Sequence, residues 1–346
     1  MAIRQTVHRP AKVAKAAGLF YVNDGEPGLT RVGPAKRIKL RTAEGRPVRD
    51  RRVYDRVRRL VIPPAWTDVW ICANPRGHIQ AMGRDARGRR QYVYHPTWRE
   101  VRDRTKFDRV VGFARALPRI RARVARDLAK RTLSKERVLA TILHLLDITH
   151  IRVGNEEYAR SNGSFGLTTL RDRHARLTGS SLQFEFRAKS GKMQRVRLGD
   201  RRVARIVKAC QDLPGQHLFQ YLDDGVPRPV TSNDVNAYLR QISGDDFTAK
   251  DFRTWAGTVL AAMALCENGS ESDTAARSVP AAVKAVAAKL GNTPAVCRKC
   301  YIHPAIIESH LAGVLAPGLK RRRGGPMAFS DGEAAVLAFL SKPRKR

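Results

Sequence analysis

Short extended segments give way to long helical ones near Pro96, and this change restricts the fold to two dissimilar parts. Before Pro96, brief runs rich in Val, Ile, Tyr and Phe are separated by Gly, Pro, Asn and Asp, as in strands joined by turns. Beyond it, apolar residues recur at helical spacing, as at Ile120, Val124 and Leu128. We therefore predict an α+β protein with a small β-rich domain at 1–100 and a larger, mainly helical domain at 101–346.

In the first part, strands are predicted over 19–23, 31–40, 69–73 and 78–82, and 88–96 closes the domain. In the second part, alternating residues on both sides of the turn 189–192 predict a β-hairpin near 182–198.

Three further predictions concern the second part. Ser134 should cap a helix whose segment Val138–Ile148 is apolar nearly all round and therefore buried. Phe165–Leu170 has the composition of a strand. Thr293 and Pro294 have the residue types of a helix cap and a first helical residue.

The charge indicates the type of partner. The chain carries 66 Lys+Arg against 31 Asp+Glu, a formal net charge of +35. Such an excess repels itself unless a polyanion neutralises it, and Arg suits phosphate because its planar fork donates two hydrogen bonds. Nucleic acid is the predicted partner, with an anionic membrane surface or a ribosome as competing interpretations.

Other classes of protein fit less well. The sequence has no apolar run near the roughly 18 residues of a membrane span, and 1–20 lacks the apolar stretch of a secretory signal. Its five cysteines are an odd number and do not suggest a disulfide framework. We expect a cytoplasmic protein without a membrane partner.

Metal and nucleotide sites are not expected. Cys297 and Cys300 have a zinc-like spacing with His303 nearby, but the sequence has no second cysteine pair, so packing is the preferred interpretation. The acidic pairs 223–224 and 245–246 adjoin glycine, as turn residues do. A phosphate loop of the GxxxxGK[ST] kind is absent from the sequence. We predict no metal and no cofactor.

Phosphodiester chemistry without metal needs a nucleophile, cations around the phosphorus and an acid for the leaving oxygen. Five residues stand in suitable contexts. Arg152 follows the predicted buried helix, Lys189 lies in the hairpin turn, and Arg253 stands just before an apolar helix. Asn292 lies in Leu-Gly-Asn-Thr-Pro, and Tyr301 follows on the next helix. Taken singly, each also fits an ordinary structural role.

In order, these residues resemble the catalytic series of type IB DNA topoisomerases, of the short bacterial and poxvirus kind. The segment Gly88–Tyr94 resembles the family's DNA-contacting Gly-Arg-Arg-Gln-Tyr-x-Tyr. The segment Gly166–Leu170 resembles the strand that enters the family's catalytic domain, and Tyr158 resembles a position that faces DNA.

The resemblance implies a helical catalytic domain of the tyrosine recombinase and type IB topoisomerase kind. It implies that Tyr301 attacks a backbone phosphorus and forms a 3′-phosphotyrosyl link, while Arg152, Arg253 and Asn292 bind the non-bridging oxygens. Lys189 would protonate the leaving 5′ oxygen. The implied partner is double-stranded DNA, held by a monomeric clamp in the nucleoid. The implied DNA contacts are Arg89, Arg90, Gln91, Tyr92, Tyr94 and Tyr158.

Three positions depart from the family pattern. Many relatives have His where this chain has Asn292, and Asn donates a hydrogen bond without a formal charge. The turn reads Arg-Ala-Lys, which leaves Lys192 as an alternative acid to the preferred Lys189. Poxvirus enzymes hold a base-contacting Lys where this chain has Asn155.

Two alternatives remain at this point. A tyrosine recombinase would share the mechanism, but those enzymes typically show His-x-x-Arg, and Lys250 stands three residues before Arg253. A non-catalytic nucleic-acid-binding protein would explain the charge but not the ordered series.

Overall fold

The computed structural model describes residues 10–33, 38–86, 88–267, 272–319 and 329–342. They belong to two compact units, Met1–Phe107 and Asp108–Arg346, and each is described by itself. Among the described residues, no helix is both long and apolar enough to cross a bilayer.

The first unit is built on an antiparallel sheet of five strands in the order β2-β1-β3-β4-β5. Leu40, Val57 and Ile71 are among the residues of its buried core. Its helices and strands are α1 (Pro10–Ala16), β1 (Gly28–Val32), β2 (Lys39–Arg41), α2 (Arg51–Arg59), β3 (Thr67–Cys72), β4 (Ile79–Arg84) and β5 (Arg90–Tyr94), and the long helix α3 (Pro96–Leu128) begins in this unit and continues into the second.

Two strand predictions for this unit were wrong in detail. The run 31–40 contributes to two strands, β1 and β2, which pair antiparallel with Arg31 opposite Leu40. The run 19–23 forms only an isolated bridge between Phe20 and Gly77. Within the described ranges, the Phe20 backbone bonds only to Arg76 and His78, and no ladder extends from it.

The second unit is mainly helical, and with the sheet of the first unit it confirms the predicted α+β class. A three-stranded sheet, β6-β7-β8, and a two-stranded one accompany the helices. After α3 the elements are α4 (Lys135–Thr149), α5 (Glu156–Asn162), β6 (Ala175–Thr178), β7 (Ser181–Arg187), β8 (Met193–Leu198), α6 (Arg201–Gln211), β9 (Gln220–Asp223), β10 (Val226–Pro229), α7 (Ser232–Ser243), α8 (Ala249–Glu267), α9 (Ser272–Leu290), α10 (Pro294–Cys300), α11 (Pro304–Leu311), α12 (Leu315–Gly318) and α13 (Asp331–Leu340).

Helix α4 forms the buried centre of this unit. The side chain of Ser134 caps it by accepting a hydrogen bond from the Arg137 N–H, as predicted. Of the segment Val138–Ile148 that was predicted to be buried, residues 138–143, 145 and 146 are buried, but the prediction was wrong for Ile148 at its end, which is exposed. The helix ends at His150, which adopts the left-handed conformation with φ 57°. That conformation is uncommon for a residue other than glycine, and it turns the chain sharply into the segment that carries Arg152.

The strand predicted over Phe165–Leu170 is wrong, because Leu167–Thr169 forms a turn of 3-10 helix. Within the described part of the chain, only the Phe165 N–H of this segment bonds to a strand, at the Arg187 carbonyl of β7. Leu167 donates instead to the Arg152 carbonyl at 2.9 Å and Thr168 to that of Val153 at 2.7 Å. A Cβ on Gly166 would lie 2.6 Å from the Arg152 carbonyl oxygen. Glycine at 166 therefore permits the close approach that holds the Arg152 backbone in place.

Arg253 lies inside a helix and not before it, because α8 already begins at Ala249. Asp251 accepts hydrogen bonds from the N–H and the hydroxyl of Thr248, at 2.8 Å and 3.0 Å. This Thr-x-x-Asp pair resembles a capping box and starts the helix one turn before Arg253. As a result, the Arg253 side chain projects from a rigid element.

A network centred on Arg121 ties four helices of the second unit together. Its guanidinium on α3 donates to Asp147 on α4 at 2.7 Å and to Glu333 on α13 at 2.9 Å. Glu333 also accepts the indole N–H of Trp255, which is buried on α8, at 2.8 Å. Burial alone would raise the pKa of Glu333, but the hydrogen bonds and charge of Arg121 outweigh it and leave that pKa below its usual value.

Because the pKa of Glu333 is lowered, acid should weaken the ion pair that holds α13 against α3. A depressed carboxyl pKa adds stability above the unfolded-state pKa, and this is lost as pH falls through the folded-state value. We expect Glu333→Gln to lower the free energy of unfolding by about 2 kcal/mol at pH 7, and by much less at pH 3. Urea unfolding at the two pH values measures this. Asp331→Asn, an exposed change on the same helix, is the control, and an equal loss for Glu333→Gln at both pH values would contradict the account.

Candidate active site

Arg253 is almost fully buried, yet its charge has only neutral partners among the described residues. It is 4% exposed and donates to the carbonyl oxygens of His150 and Leu290, the latter at 2.7 Å. His150 caps the C-terminus of α4 and Leu290 is the last residue of α9. Helix C-termini carry carbonyls without intrahelical partners and a partial negative charge, so two helix ends hold this guanidinium in place of a carboxylate.

Arg152 is held in a similar way. Its Nη2 donates to the carbonyl of Gly291 at 3.0 Å and to the side-chain oxygen of Asn292. Gly291 has φ 60°, a left-handed conformation that ends α9 and brings Asn292 toward the guanidinium. Neither Arg152 nor Arg253 has an ion-pair partner among the residues that the structure describes.

Asn292 holds an unused donor. While its oxygen accepts from Arg152, its amide nitrogen Nδ2 is buried and makes no hydrogen bond within the described part of the chain. A buried N–H without a partner costs free energy, so an acceptor placed beside it would be bound favourably.

Tyr301 stands at the C-terminus of α10, half-buried, with the guanidinium carbon of Arg253 5.2 Å from the centre of its ring. Its backbone packs closely on α8, where a Cβ on Gly257 would lie 2.6 Å from the Tyr301 carbonyl oxygen. Glycine at 257 is therefore needed for this approach, which brings the phenol next to Arg253.

The hairpin of β7 and β8 separates the two candidate lysines. Lys189 and Lys192 stand on either side of Ser190 and Gly191. Ser190 and Gly191 both have positive φ, so the chain turns sharply between the lysines. The ammonium of Lys189 lies 5.9 Å from the ring centre of Tyr158 and lines a cleft together with Arg152 and Tyr301. Lys192 faces away from that cleft and donates to the backbone carbonyl of Asn292 at 3.5 Å.

This cleft, which we call the tyrosine cleft, has a volume of about 280 Å³. The residues that line it are Arg152, Val153, Gly154, Asn155, Tyr158, Ser164, Phe165, Lys189, Ala249, Lys250, Arg253 and Tyr301. They include four cations and no carboxylate. Burial, and secondly repulsion from Arg253, lowers the pKa of Arg152, and burial lowers that of Arg253 as well. Such a cleft attracts an anion, because a bound anion would relieve both the desolvation and the repulsion.

The structure thus brings four of the five residues in the predicted series, together with Tyr158, to one cleft, and Asn292 adjoins it through Arg152. Sequence reasoning missed Lys250 as a lining residue, although its i, i+3 spacing from Arg253 on α8 was a usable signal. It also missed the His150 carbonyl, whose role depends on backbone geometry that no motif indicates. Asn155 is the N-cap of α5 and accepts from the Tyr158 N–H at 3.1 Å.

The remaining predicted DNA contacts lie in the first unit, four of them on β5 and Arg89 just before it. Asp85 binds Arg89 at 2.6 Å and accepts from Gln91 at 2.9 Å, while Arg90 pairs with Asp24. The rings of Tyr92 and Tyr94 stack with centres 5.9 Å apart on one face of the strand. These side chains form a polar and aromatic surface on an edge strand of the sheet.

The candidate metal ligands lie in ordinary structural positions. Cys297 is buried on α10, and the side chain of His303 caps α11 by accepting from the Ala305 N–H. Asp224 and Asp245 stand in turns, at the β9–β10 connection and after α7. Within the described residues, no group of three or more His, Cys, Asp or Glu side chains is arranged to hold a metal ion.

Comparison with known proteins identifies the family to which the chain is similar. The family described as eukaryotic DNA topoisomerase I, catalytic core, matches residues 95–312, and that described as bacterial DNA topoisomerase IB, N-terminal domain, matches residues 39–85.

Two viral proteins are similar over most of their length. The chain is 32% identical over 264 residues to DNA topoisomerase 1B of Acanthamoeba polyphaga mimivirus, covering 73% of this chain and 79% of that protein. It is 24% identical over 272 residues to DNA topoisomerase 1B of Vaccinia virus (strain Copenhagen), covering 75% and 82%. These matches favour a topoisomerase over the recombinase and the non-catalytic binding protein. The chain belongs to the type IB DNA topoisomerase family and is an isomerase.

Proposed function

We propose that the chain relaxes supercoiled duplex DNA by cutting one strand through Tyr301, letting the free end rotate, and rejoining the strand. The observation that carries this proposal is a cleft in which the buried Arg253 and the half-buried Arg152 stand with the Tyr301 phenol, and neither guanidinium has a carboxylate partner among the described residues. The excess of cations in the tyrosine cleft suits the phosphate of a DNA strand.

In the cutting step, the Tyr301 hydroxyl gives its proton to solvent, its oxygen forms a bond to the phosphorus, and the bond to the 5′ oxygen breaks. The product is a 3′-phosphotyrosyl link and a free 5′-hydroxyl. Arg152 and Arg253 bind the non-bridging oxygens and stabilise the charge that grows on them, and the unused amide of Asn292 donates a further hydrogen bond. Donors that are already fixed in place lower the barrier, because they need not reorganise as charge develops in the transition state.

Lys189 gives its proton to the leaving 5′ oxygen, which would otherwise depart as a costly alkoxide. Its position in the tyrosine cleft supports this choice, whereas Lys192 is turned toward the Asn292 carbonyl. In rejoining, the 5′-hydroxyl attacks the phosphorus and returns that proton to Lys189, while the bond from phosphorus to the Tyr301 oxygen breaks and the phenol regains its proton from solvent. The energy of the phosphodiester is kept in the covalent link, so the cycle consumes no ATP, and the guanidiniums take the place of a metal.

DNA contacts are assigned to both predicted domains, 1–100 as a clamp and 101–346 as the catalytic domain. At the start of β5, Arg89, Arg90 and Gln91 bind phosphates or base edges when DNA displaces Asp85 and Asp24. The Tyr92 and Tyr94 rings on the same strand contact sugars or bases. Tyr158 contacts DNA at the rim of the tyrosine cleft. We propose that a monomer holds the duplex in this way in the nucleoid, and that the +35 charge supplies a salt-sensitive grip.

The first test removes the nucleophile. Tyr301→Phe should abolish relaxation of a supercoiled plasmid in EDTA without ATP, because the ring cannot attack without its hydroxyl. DNA affinity should stay within about threefold of the wild type, since only one hydroxyl is lost. A covalent adduct of Tyr301→Phe with DNA would show that another residue is the nucleophile.

The second test identifies the acid. Lys189→Ala should slow strand cleavage by about 10²- to 10⁴-fold on ordinary DNA. On a substrate whose 5′ bridging oxygen is replaced by sulfur, cleavage should return close to the wild-type rate, because a thiolate leaves without a proton. Lys192→Ala is the matched control on the same turn. If the sulfur substrate restores Lys192→Ala and not Lys189→Ala, the acid is Lys192.

A further inference from the structure

A second cleft lies on the other side of Arg152, between β8 and the C-terminal end of α9. We call it the basic cleft; its volume is about 540 Å³. Its lining includes the cations Lys192, Arg195, Arg197 and Lys289, and Arg152 lines both this cleft and the tyrosine cleft. None of the residues that line it is acidic.

The charges of the basic cleft are only partly balanced by nearby carboxylates. Glu185 pairs with Arg195 at 2.8 Å, and Arg197 donates to the neutral side chain of Gln183 at 3.1 Å. Asp147, next in sequence to the lining residue Ile148, is already bound by Arg121 at 2.7 Å.

Two cations of the cleft therefore remain available. Among the described residues, Lys192 and Lys289 have no carboxylate within ion-pair distance, and both are exposed. The cleft keeps a net positive charge that an anion would offset.

Apolar side chains form part of the same lining. Ile148 and Met193 are 44% and 59% exposed, and Ala287 and Val196 contribute beside them. A combination of apolar surface and a cationic rim suits a sugar-phosphate backbone, whose deoxyribose can pack while its phosphate binds lysine. A free inorganic anion would use the cations alone.

We propose that the basic cleft binds a phosphodiester of the DNA strand that flanks the scissile phosphate, with Lys289 and Lys192 as its phosphate ligands. This inference rests on the proposed function. Arg152 lies between two neighbouring phosphates only if the scissile phosphate is bound in the tyrosine cleft. Lys192 also donates to the Asn292 carbonyl, so this phosphate site adjoins a residue assigned to the scissile phosphate.

Salt dependence tests the phosphate contact without relying on strand cleavage. Affinity for DNA falls as salt rises, and replacing one phosphate-binding lysine reduces the steepness of log affinity against log salt by about 1. On a short duplex, the wild type should therefore bind more tightly than Lys289→Gln by a factor that shrinks about fourfold as salt rises from 50 to 200 mM. Lys284→Gln is the matched control, because Lys284 is also exposed on α9 but does not line the basic cleft. A slope for Lys289→Gln equal to that of Lys284→Gln would overturn the proposal.

A second measurement tests the position of the phosphate. On a duplex with a mapped cleavage site, single neutral methylphosphonates are placed at each phosphate flanking the scissile one. One position should weaken wild-type binding but cause no further loss in Lys289→Gln, because the lost contact is the same. Additive losses at every position would exclude a shared contact. If Tyr301→Phe still forms an adduct while the Lys289→Gln slope falls, the proposed nucleophile fails and the phosphate contact stands.

Discussion

The site depends on how the charge of Arg253 is accommodated inside the protein. Burying a cation without a counter-ion is costly, and here the ends of α4 and α9 offset part of that cost with carbonyls that lack helical partners. The same side chain therefore ties the ends of two helices to each other. It also keeps its positive charge for a ligand, since a carboxylate in the same place would neutralise it.

The surrounding residues follow from this arrangement. Gly291 turns the chain after α9 so that Asn292 meets Arg152, and Gly257 lets the segment of Tyr301 approach α8. The Arg121 network joins α8 to α3, α4 and α13 through Trp255 and Glu333, and so holds the helix that carries Arg253. In physical terms, rigid helices present the cations before substrate arrives, and preorganisation of this kind is the main source of electrostatic catalysis.

Local signals predicted much of the fold. The Ser134 cap and the apolar run after it gave α4, and the alternating residues around 189–192 gave the β7–β8 hairpin, because both depend on nearby residues. Phe165–Leu170 has strand composition, but contacts of Gly166 with the distant Arg152 backbone make it a 3-10 turn. The residue series was recognised from order and motif. The binding of Arg253 by two helix ends could not be predicted. Every residue has a backbone carbonyl, so the sequence does not show which carbonyls will meet a side chain.

The most direct test of the account is to trap the covalent complex on duplex DNA and identify the linked amino acid and DNA end by mass spectrometry after proteolysis and nuclease digestion. The account predicts a single linkage, from the Tyr301 oxygen to a 3′-phosphate, with a free 5′-hydroxyl on the other fragment. A linkage through any other residue, or to a 5′-phosphate, would contradict it.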